Sequence, residues 1–250
     1  MQRFEGRVAL ITGGSRGIGF AIARRLASEG AAVVLTGRKQ DALDAAVAEL
    51  ADEFDAGAAT AVAGRADDPE HRAAVFAHLA ERHGRLDHLV NNAGINPIWG
   101  PALEADPAAI RKILEVNLIA AFEWTRDAVA AGLGRSVVNL SSISGLAAAG
   151  NIPFYGVSKA ALINLTVQLA HELAPGLRVN AVAPAVVKTA FARALYEGRE
   201  AEVAAEYPLA RLGEPADVAG PVAFLLSDDA AWITGQTIVI DGGASIRPIG

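Results

Sequence analysis

The chain of 250 residues contains no cysteine and a single methionine. Without cysteine there is no disulfide framework, no thiolate nucleophile and no Cys-based zinc site. Five histidines are present, but none falls in a metal-ligand spacing, so no metal is assigned. A basic excess is also missing. The 22 Lys and Arg residues face 28 Asp and Glu, a formal net charge of −6. That leaves no surplus of positive charge to displace counterions from a nucleic acid. No apolar stretch approaches the roughly 20 residues that a membrane-spanning helix needs. The opening residues, Met1-Gln2-Arg3-Phe4-Glu5-Gly6, run straight into Val8-Ala9-Leu10-Ile11 and lack the shape of a signal peptide. Together these absences predict a cytoplasmic protein with neither a nucleic-acid nor a membrane partner.

What the sequence does have is a regular alternation. Apolar residues make up 52% of the chain, and 54 of them are alanine. The larger ones still suffice for one sizeable core in a chain of this length. Short apolar runs at 8–11, 32–35, 59–62, 86–91, 136–140, 177–181 and 236–240 read as strands. They barely alternate with polar residues, as expected for parallel strands covered on both faces. Between them lie helical patterns at 17–28, 40–53, 69–83, 107–131, 152–173 and 214–227. This repetition predicts an α/β fold, a doubly wound seven-stranded parallel sheet flanked by helices. No linker or low-complexity tract divides the chain, so residues 1–250 are read as one domain. The least regular part, 184–208, is expected to be a loop with short helices at the ligand-binding ends of the strands.

The first strand ends in Thr12-Gly13-Gly14-Ser15-Arg16-Gly17-Ile18-Gly19, followed by a helix. The glycine spacing is not G-x-G-x-x-G, but the physical logic is the same. Glycines permit a tight turn and close backbone approach, and the helix N-terminus then faces a pyrophosphate. Residues 13–17 also fit G-x-S-x-G, which would make Ser15 a hydrolase nucleophile. That reading lacks the preceding strand–helix unit needed for an oxyanion loop. After the second strand, Gly37-Arg38 stands where an NAD-specific site places an acid, about 20 residues past the glycines. Arg38, with Arg16 from the glycine turn, suits a 2′-phosphate, so NADP(H) is expected in preference to NAD(H).

Tyr155 and Lys159 are spaced i, i+4 at a helix start, which puts them on one helix face. A free phenol titrates near 10, and a neighbouring ammonium is expected to lower that value into a usable range. Ser141 and Ser142 end a strand about thirteen residues earlier, where a hydroxyl can bind a carbonyl oxygen. Asn117 interrupts an apolar run, either as a helix-distorting residue or as part of a polar relay.

Taken together, Thr12-Gly13…Gly17-Ile18-Gly19, Asn91-Asn92-Ala93-Gly94, Asn117, Ser142, Tyr155, Lys159, Arg178-Val179-Asn180 and Asp241-Gly242-Gly243 resemble the short-chain dehydrogenase/reductase family over essentially the whole chain. The resemblance implies a Rossmann-type domain, a homotetramer and a small-molecule carbonyl substrate. It implies Tyr155 as acid/base and Ser142 as the group that orients the carbonyl. Lys159 would tune Tyr155 and hold the nicotinamide ribose, and Asn117 would anchor a water that relays protons to Lys159. The implied cofactor set is Gly13, Ser15, Arg16, Gly17, Ile18, Gly19, Arg38, Asn91, Ala93, Gly94, Tyr155, Lys159, Pro184 and Thr189. Two positions depart from the family pattern: Ala185 replaces the usual glycine after the sixth strand, and Arg65 stands where an adenine-contacting Asp is common, with Asp67 a substitute. The segment 95–101, together with 187–191, most resembles the carbonyl-reductase branch. Ile98, Trp99, Leu146, Phe154, Val186, Phe191 and Leu195 are the candidate substrate pocket, mostly apolar and suited to a lipophilic ketone or aldehyde. Two alternatives stand beside this reading. A β-ketoacyl-ACP reductase would use Lys188, Arg193 and Arg199 to grip an acidic carrier. A non-catalytic NADP(H)-binding sensor or scaffold would have no need of the acid/base pair.

Overall fold

A computed structural model describes residues 2–246. The elements follow one another as β1 (Val8–Ile11), α1 (Gly17–Ser28), β2 (Ala32–Gly37), α2 (Gln40–Glu53), β3 (Ala59–Ala63), α3 (Pro69–Arg82) and β4 (His88–Asn91). The second half continues with α4 (Pro107–Leu114), α5 (Ala120–Ala130), β5 (Ser136–Leu140), α6 (Pro153–Leu173), β6 (Arg178–Pro184), α7 (Glu200–Ala205), α8 (Pro215–Leu226) and β7 (Thr237–Ile240). All seven strands pair in parallel in the order β3-β2-β1-β4-β5-β6-β7. The order reverses between β1 and β4, and the crevice at such a switch point is where open α/β sheets bind ligands.

Successive residues of each strand feed opposite cores. In β1, Ala9 and Ile11 join Phe4, Ile22, Leu26 and Val222 on the side of α1 and α8. Val8 and Leu10 join Val75, Leu79, Trp124 and Leu169 on the side of α3, α5 and α6. With both faces buried, each large apolar strand residue contributes about 1.5–3 kcal/mol of burial, which is why these strands read as continuous apolar runs. Several helix starts are set by local chemistry. Asp68 accepts from Glu70 N ahead of Pro69, and Asp106 accepts from Ala108 N and Ala109 N ahead of Pro107. Glu214 and Asp217 form a reciprocal capping box around Pro215.

Two elements depart furthest from the sequence expectation. The helix expected over 107–131 is not continuous. A π-helical turn, Glu115–Ile119, lies between α4 and α5. Asn117 sits inside it, with its amide bonded to a loop distant in sequence, a long-range partner that local periodicity does not register. β6 runs on to Pro184 because Val182, Ala183 and Pro184 pair with Ile238, Val239 and Ile240. Ala185 N then donates to Ile240 O (3.0 Å), and Ala185 is not among the residues with positive φ. Alanine is therefore accommodated where the resemblance leads one to expect glycine, because the backbone here needs no left-handed conformation.

The Arg178-Val179-Asn180 motif is structural. Arg178 donates to Leu225 O (2.7 Å), Leu226 O (3.2 Å) and Ser227 O (3.0 Å), closing the carbonyl end of α8. Asn180 bonds Ile233 O and receives Gln236 N, which steers the chain into β7. Among the described residues no helix is long and apolar enough to cross a membrane.

Candidate active site

One cleft of about 1820 Å³ opens along the carboxyl ends of the strands. Its first wall is the glycine turn. Gly13 and Gly17 take φ of +67° and +59°, and a Cβ on Gly19 would lie 2.4 Å from Gly13 O. The turn is held from β4. Asn92 Nδ2 donates to Thr12 O (2.9 Å) and Gly13 O (3.0 Å), while Thr12 Oγ1 accepts from Asn92 N and Ala93 N, each at 3.0 Å. α1 has no side-chain cap and no acid in its first turn, whereas α3 has both. Its free N–H groups therefore face the cleft at Gly17, Ile18 and Gly19. This cradle, closed to any Cβ and open to an anion, fits the pyrophosphate of a dinucleotide.

Ser15, Arg16, Arg38, Ala93, Gly94, Pro184 and Thr189 line the same cleft. Arg16 and Arg38 are exposed, and among the described residues neither has a carboxylate within 4.0 Å. Arg65 does have one. It pairs with Asp67 (3.2 Å), which also takes Lys112. Burial works against the Asp67 charge, but these two partners prevail and hold its carboxyl down to about 2.

Across the cleft, β5 delivers Ser142 and α6 delivers Tyr155 and Lys159. Burial pushes the Tyr155 phenol up to about 12, against an opposing influence from the Ser142 hydroxyl. The expected lowering by Lys159 is not what offsets burial here. Lys159 Nζ lies 5.5 Å from the Tyr155 ring centroid and donates instead to Leu140 O (2.6 Å). Burial lowers Lys159 itself to about 8. Tyr155 also packs against Phe191, with ring centroids 5.9 Å apart.

Three expected residues lie outside the cleft wall. Asn91 points into the protein, donating to Ala121 O, Thr125 Oγ1 and Asn139 Oδ1 (3.2, 3.0 and 2.9 Å), because the end of β4 turns its side chain toward α5. Its neighbour Asn92 reaches the glycine turn instead, and the doubled Asn was the signal for it. Asn117 is buried behind the site. Its Oδ1 receives Ile95 N (2.8 Å), and its Nδ2 donates to Ile95 O (3.0 Å) and Ser158 Oγ (3.1 Å). Phe154 does not line the cleft, whereas the adjacent Tyr155 and Ile152 do. One helical residue is about 100° of rotation, enough to turn Phe154 off the face that carries Tyr155.

The remaining pocket candidates, Ile98, Trp99, Leu146, Val186, Phe191 and Leu195, all line the cleft. Trp99, Leu146 and Phe191 are 60%, 51% and 57% exposed, so the mouth is an uncovered apolar rim. The loop expected over 184–208 carries α7 and is tied down at its base. Val187 bridges Gly213, and Lys188 Nζ meets Glu200 (2.7 Å) and Glu214 (2.9 Å). The closing Asp241-Gly242-Gly243 turn supports it from below through Leu209 N→Gly242 O (3.1 Å). Among the described residues no three His, Asp or Glu side chains gather in a metal-binding group.

A dinucleotide cradle facing a Ser, Tyr and Lys in a doubly wound sheet defines a nicotinamide-dependent oxidoreductase of CH–OH and C=O groups. A family model described as Enoyl-(Acyl carrier protein) reductase matches residues 13–245. Dehydrogenase/reductase SDR family member 4 of Homo sapiens is 43% identical over 248 residues, covering 96% of this chain and 88% of that protein. Tropinone reductase-like 3 of Erythroxylum coca is 40% identical over 249 residues, covering 98% and 96%. The crystal structure of Short-chain dehydrogenase/reductase SDR:Glucose/ribitol dehydrogenase from Brucella melitensis superposes with a TM-score of 0.91 at 34% identity, covering 97% of this chain and 98% of that one. The chain belongs to the short-chain dehydrogenase/reductase family and uses a nicotinamide dinucleotide.

Proposed function

We propose that the protein reduces small lipophilic ketones or aldehydes, and oxidises the corresponding alcohols, with NADP(H). The observation that carries this reading is the meeting of the open α1 N-terminus with Ser142, Tyr155 and Lys159 in a single cleft. When bound, NADPH supplies a hydride to the carbonyl carbon. On the protein's side, Tyr155 gives its phenolic proton to the carbonyl oxygen, so that C=O becomes CH–OH, and takes that proton back in the reverse direction. Ser142 donates a hydrogen bond to the same oxygen and holds it beside the phenol. Lys159 would hold the nicotinamide ribose and keep positive charge near the phenolate. Asn117 ties Ile95 to α6 through Ser158, and its role is to fix the cleft floor. The glycine turn and Gly94 would hold the pyrophosphate and ribose, and Thr189 the nicotinamide end.

Preference for NADP(H) rests on Arg16 and Arg38, two exposed guanidiniums on the adenosine side of the cleft that are unpaired among the described residues. A 2′-phosphate gives both a partner, whereas a 2′-hydroxyl leaves their charge unanswered.

The apolar rim of Trp99, Leu146 and Phe191 favours an uncharged, lipophilic substrate. The carrier-protein reading is weaker, because its basic residues are already engaged. Lys188 is bound by two carboxylates, Arg193 pairs with Glu197 (3.9 Å) and Arg199 with Glu202 (4.0 Å). Exposed Phe122, Val129, Val157 and Val167 on α5 and α6 fit the homotetramer that the family implies, which light scattering on the purified protein would test.

The deciding experiment follows oxidation of NADPH and of NADH with acetophenone, benzaldehyde, cyclohexanone and acetoacetyl-CoA. Turnover of the uncharged compounds with NADPH is expected. Tight NADPH binding without turnover of any of them would favour the sensor reading instead.

A further inference from the structure

The 3₁₀ turn Ile143–Gly145, between β5 and α6, places a second hydroxyl beside Ser142 that the mechanism above does not use. Ser144 lines the cleft, its Oγ donates to Ser142 Oγ (2.9 Å), and its backbone N–H reaches the same oxygen (3.2 Å). A serine oxygen has one proton to give and two lone pairs to fill. Both lone pairs of Ser142 are thus taken by one residue. Its own proton has Pro184 O at 3.4 Å, longer than a normal O–H···O bond of about 2.5–3.0 Å, and it also faces the Tyr155 phenol oxygen, where a donated bond favours the phenolate. Ser142 is left as a donor with a loosely held proton and no acceptor site to spare.

Two close backbone crossings hold this turn. A Cβ on Gly156 would lie 2.7 Å from Ser144 O, and a Cβ on Gly145 would lie 2.7 Å from Ala160 N. With glycine at both positions the turn rests directly on the first turns of α6, the helix that carries Tyr155 and Lys159. Ser144 therefore cannot drift relative to the phenol.

We propose that Ser144 is a positioning residue: by filling both acceptor sites of Ser142 Oγ, it fixes Ser142 as a hydrogen-bond donor to the substrate oxygen and keeps it from accepting the Tyr155 proton. The proposal rests on the roles given above to Ser142 and Tyr155. Without the Ser144 hydroxyl, Ser142 regains a lone pair. Tyr155 O–H then bonds Ser142 in place of the substrate, which stabilises the neutral phenol. The charged group beside Tyr155 is Lys159 on α6, bonded to Leu140 O; the loop after β6 contributes the Phe191 ring and Lys188, which Glu200 and Glu214 hold. Among the described residues Ser144 is hydrogen-bonded to none of these, its side-chain bond going to Ser142.

The test compares Ser144→Ala and Ser144→Thr with Ser142→Ala and Tyr155→Phe, using the panel ketone of highest turnover and its alcohol. Ser144→Ala is expected to lower kcat roughly tenfold, the rate equivalent of one hydrogen bond, with KM little changed. The rising limb of the pH profile for alcohol oxidation should move up by about one pH unit. NADPH affinity, titrated by ligand fluorescence, should stay as in the wild type, and Ser144→Thr should restore most of kcat. The proposal is overturned by an unchanged kcat and pH profile in Ser144→Ala, by a loss of kcat with no movement of the limb, by weakened NADPH binding, or by failure of threonine to rescue. If instead no panel ketone is turned over, or Ser142→Ala or Tyr155→Phe is fully active, the reading of the site itself has failed.

Discussion

Lys159 Nζ donates to Leu140 O at 2.6 Å while standing 5.5 Å from the Tyr155 ring centroid, so the ammonium is anchored to β5 rather than to the phenol. Burial lowers Lys159 from 10.5 to about 8. The folded protein therefore releases this proton at lower pH than the unfolded chain does. Below pH 8 both states hold it, and the cost of the buried ammonium is fully present. As pH rises from about 8 toward 10.5 only the unfolded chain keeps the proton, and the cost is relieved. Lys159→Met should abolish activity yet raise stability at pH 7 by about 1–2 kcal/mol, part of the desolvation being offset by the lost bond to Leu140 O. Urea denaturation at pH 7 and pH 10 checks this: the gap between variant and wild type must shrink at the higher pH.

Asp67 behaves in the opposite sense. Its folded value of about 2 lies below the ordinary 3.8 because Arg65 and Lys112 outweigh burial. The stability it contributes is present above pH 4 and is lost as pH falls through 4 toward 2. Asp67→Asn should cost about 2 kcal/mol at pH 7, read as a lower urea midpoint. An equal difference between the two proteins at pH 7 and pH 3 would refute the pairing.

Arg38 gives a cofactor prediction. Arg38→Ala should weaken NADPH by about 10- to 100-fold, the loss expected for a charge-assisted contact to phosphate, and leave NADH nearly unchanged. Equal losses for both cofactors in a fluorescence titration would remove the 2′-phosphate argument.

Gly19 tests the turn itself. A Cβ there meets Gly13 O at 2.4 Å and Asn92 Nδ2 at 2.5 Å, whereas one on Gly150 meets nothing within 4 Å. Gly19→Ala should destabilise by about 1–3 kcal/mol through overpacking and abolish cofactor binding. Gly150→Ala should melt with the wild type. Melting curves and NADPH titration on the two variants distinguish them.

Much of the fold was legible because both faces of the sheet are covered. Runs such as Val8-Ala9-Leu10-Ile11 have no solvent face to interrupt them. The glycine turn, Ser142, Tyr155 and Lys159 were legible because their spacing is itself the geometry. What was not legible depends on contacts distant in sequence. Asn117 breaks its helix through Ile95, twenty-two residues away. Asn91 and Asn92 are equivalent on paper, and only the end of β4 decides which one faces the glycines. Tyr155 and Lys159 share a helix face, yet Leu140 O from β5 takes the ammonium. Ser144 went unread because its role lies in its hydroxyl's direction, which no spacing records.

The bridge between Val187 and Gly213, with Lys188 N→Gly213 O (2.8 Å) and Gly213 N→Val186 O (3.0 Å), brings the two ends of the substrate loop together at one point. A loop whose ends are pinned side by side can be lengthened, shortened or replaced with little effect on the path of the chain before and after it. The sheet and α8 are then insulated from changes in the length of this loop. On the function proposed above, selection could rewrite the loop around Leu195 while keeping Phe191, which packs on Tyr155.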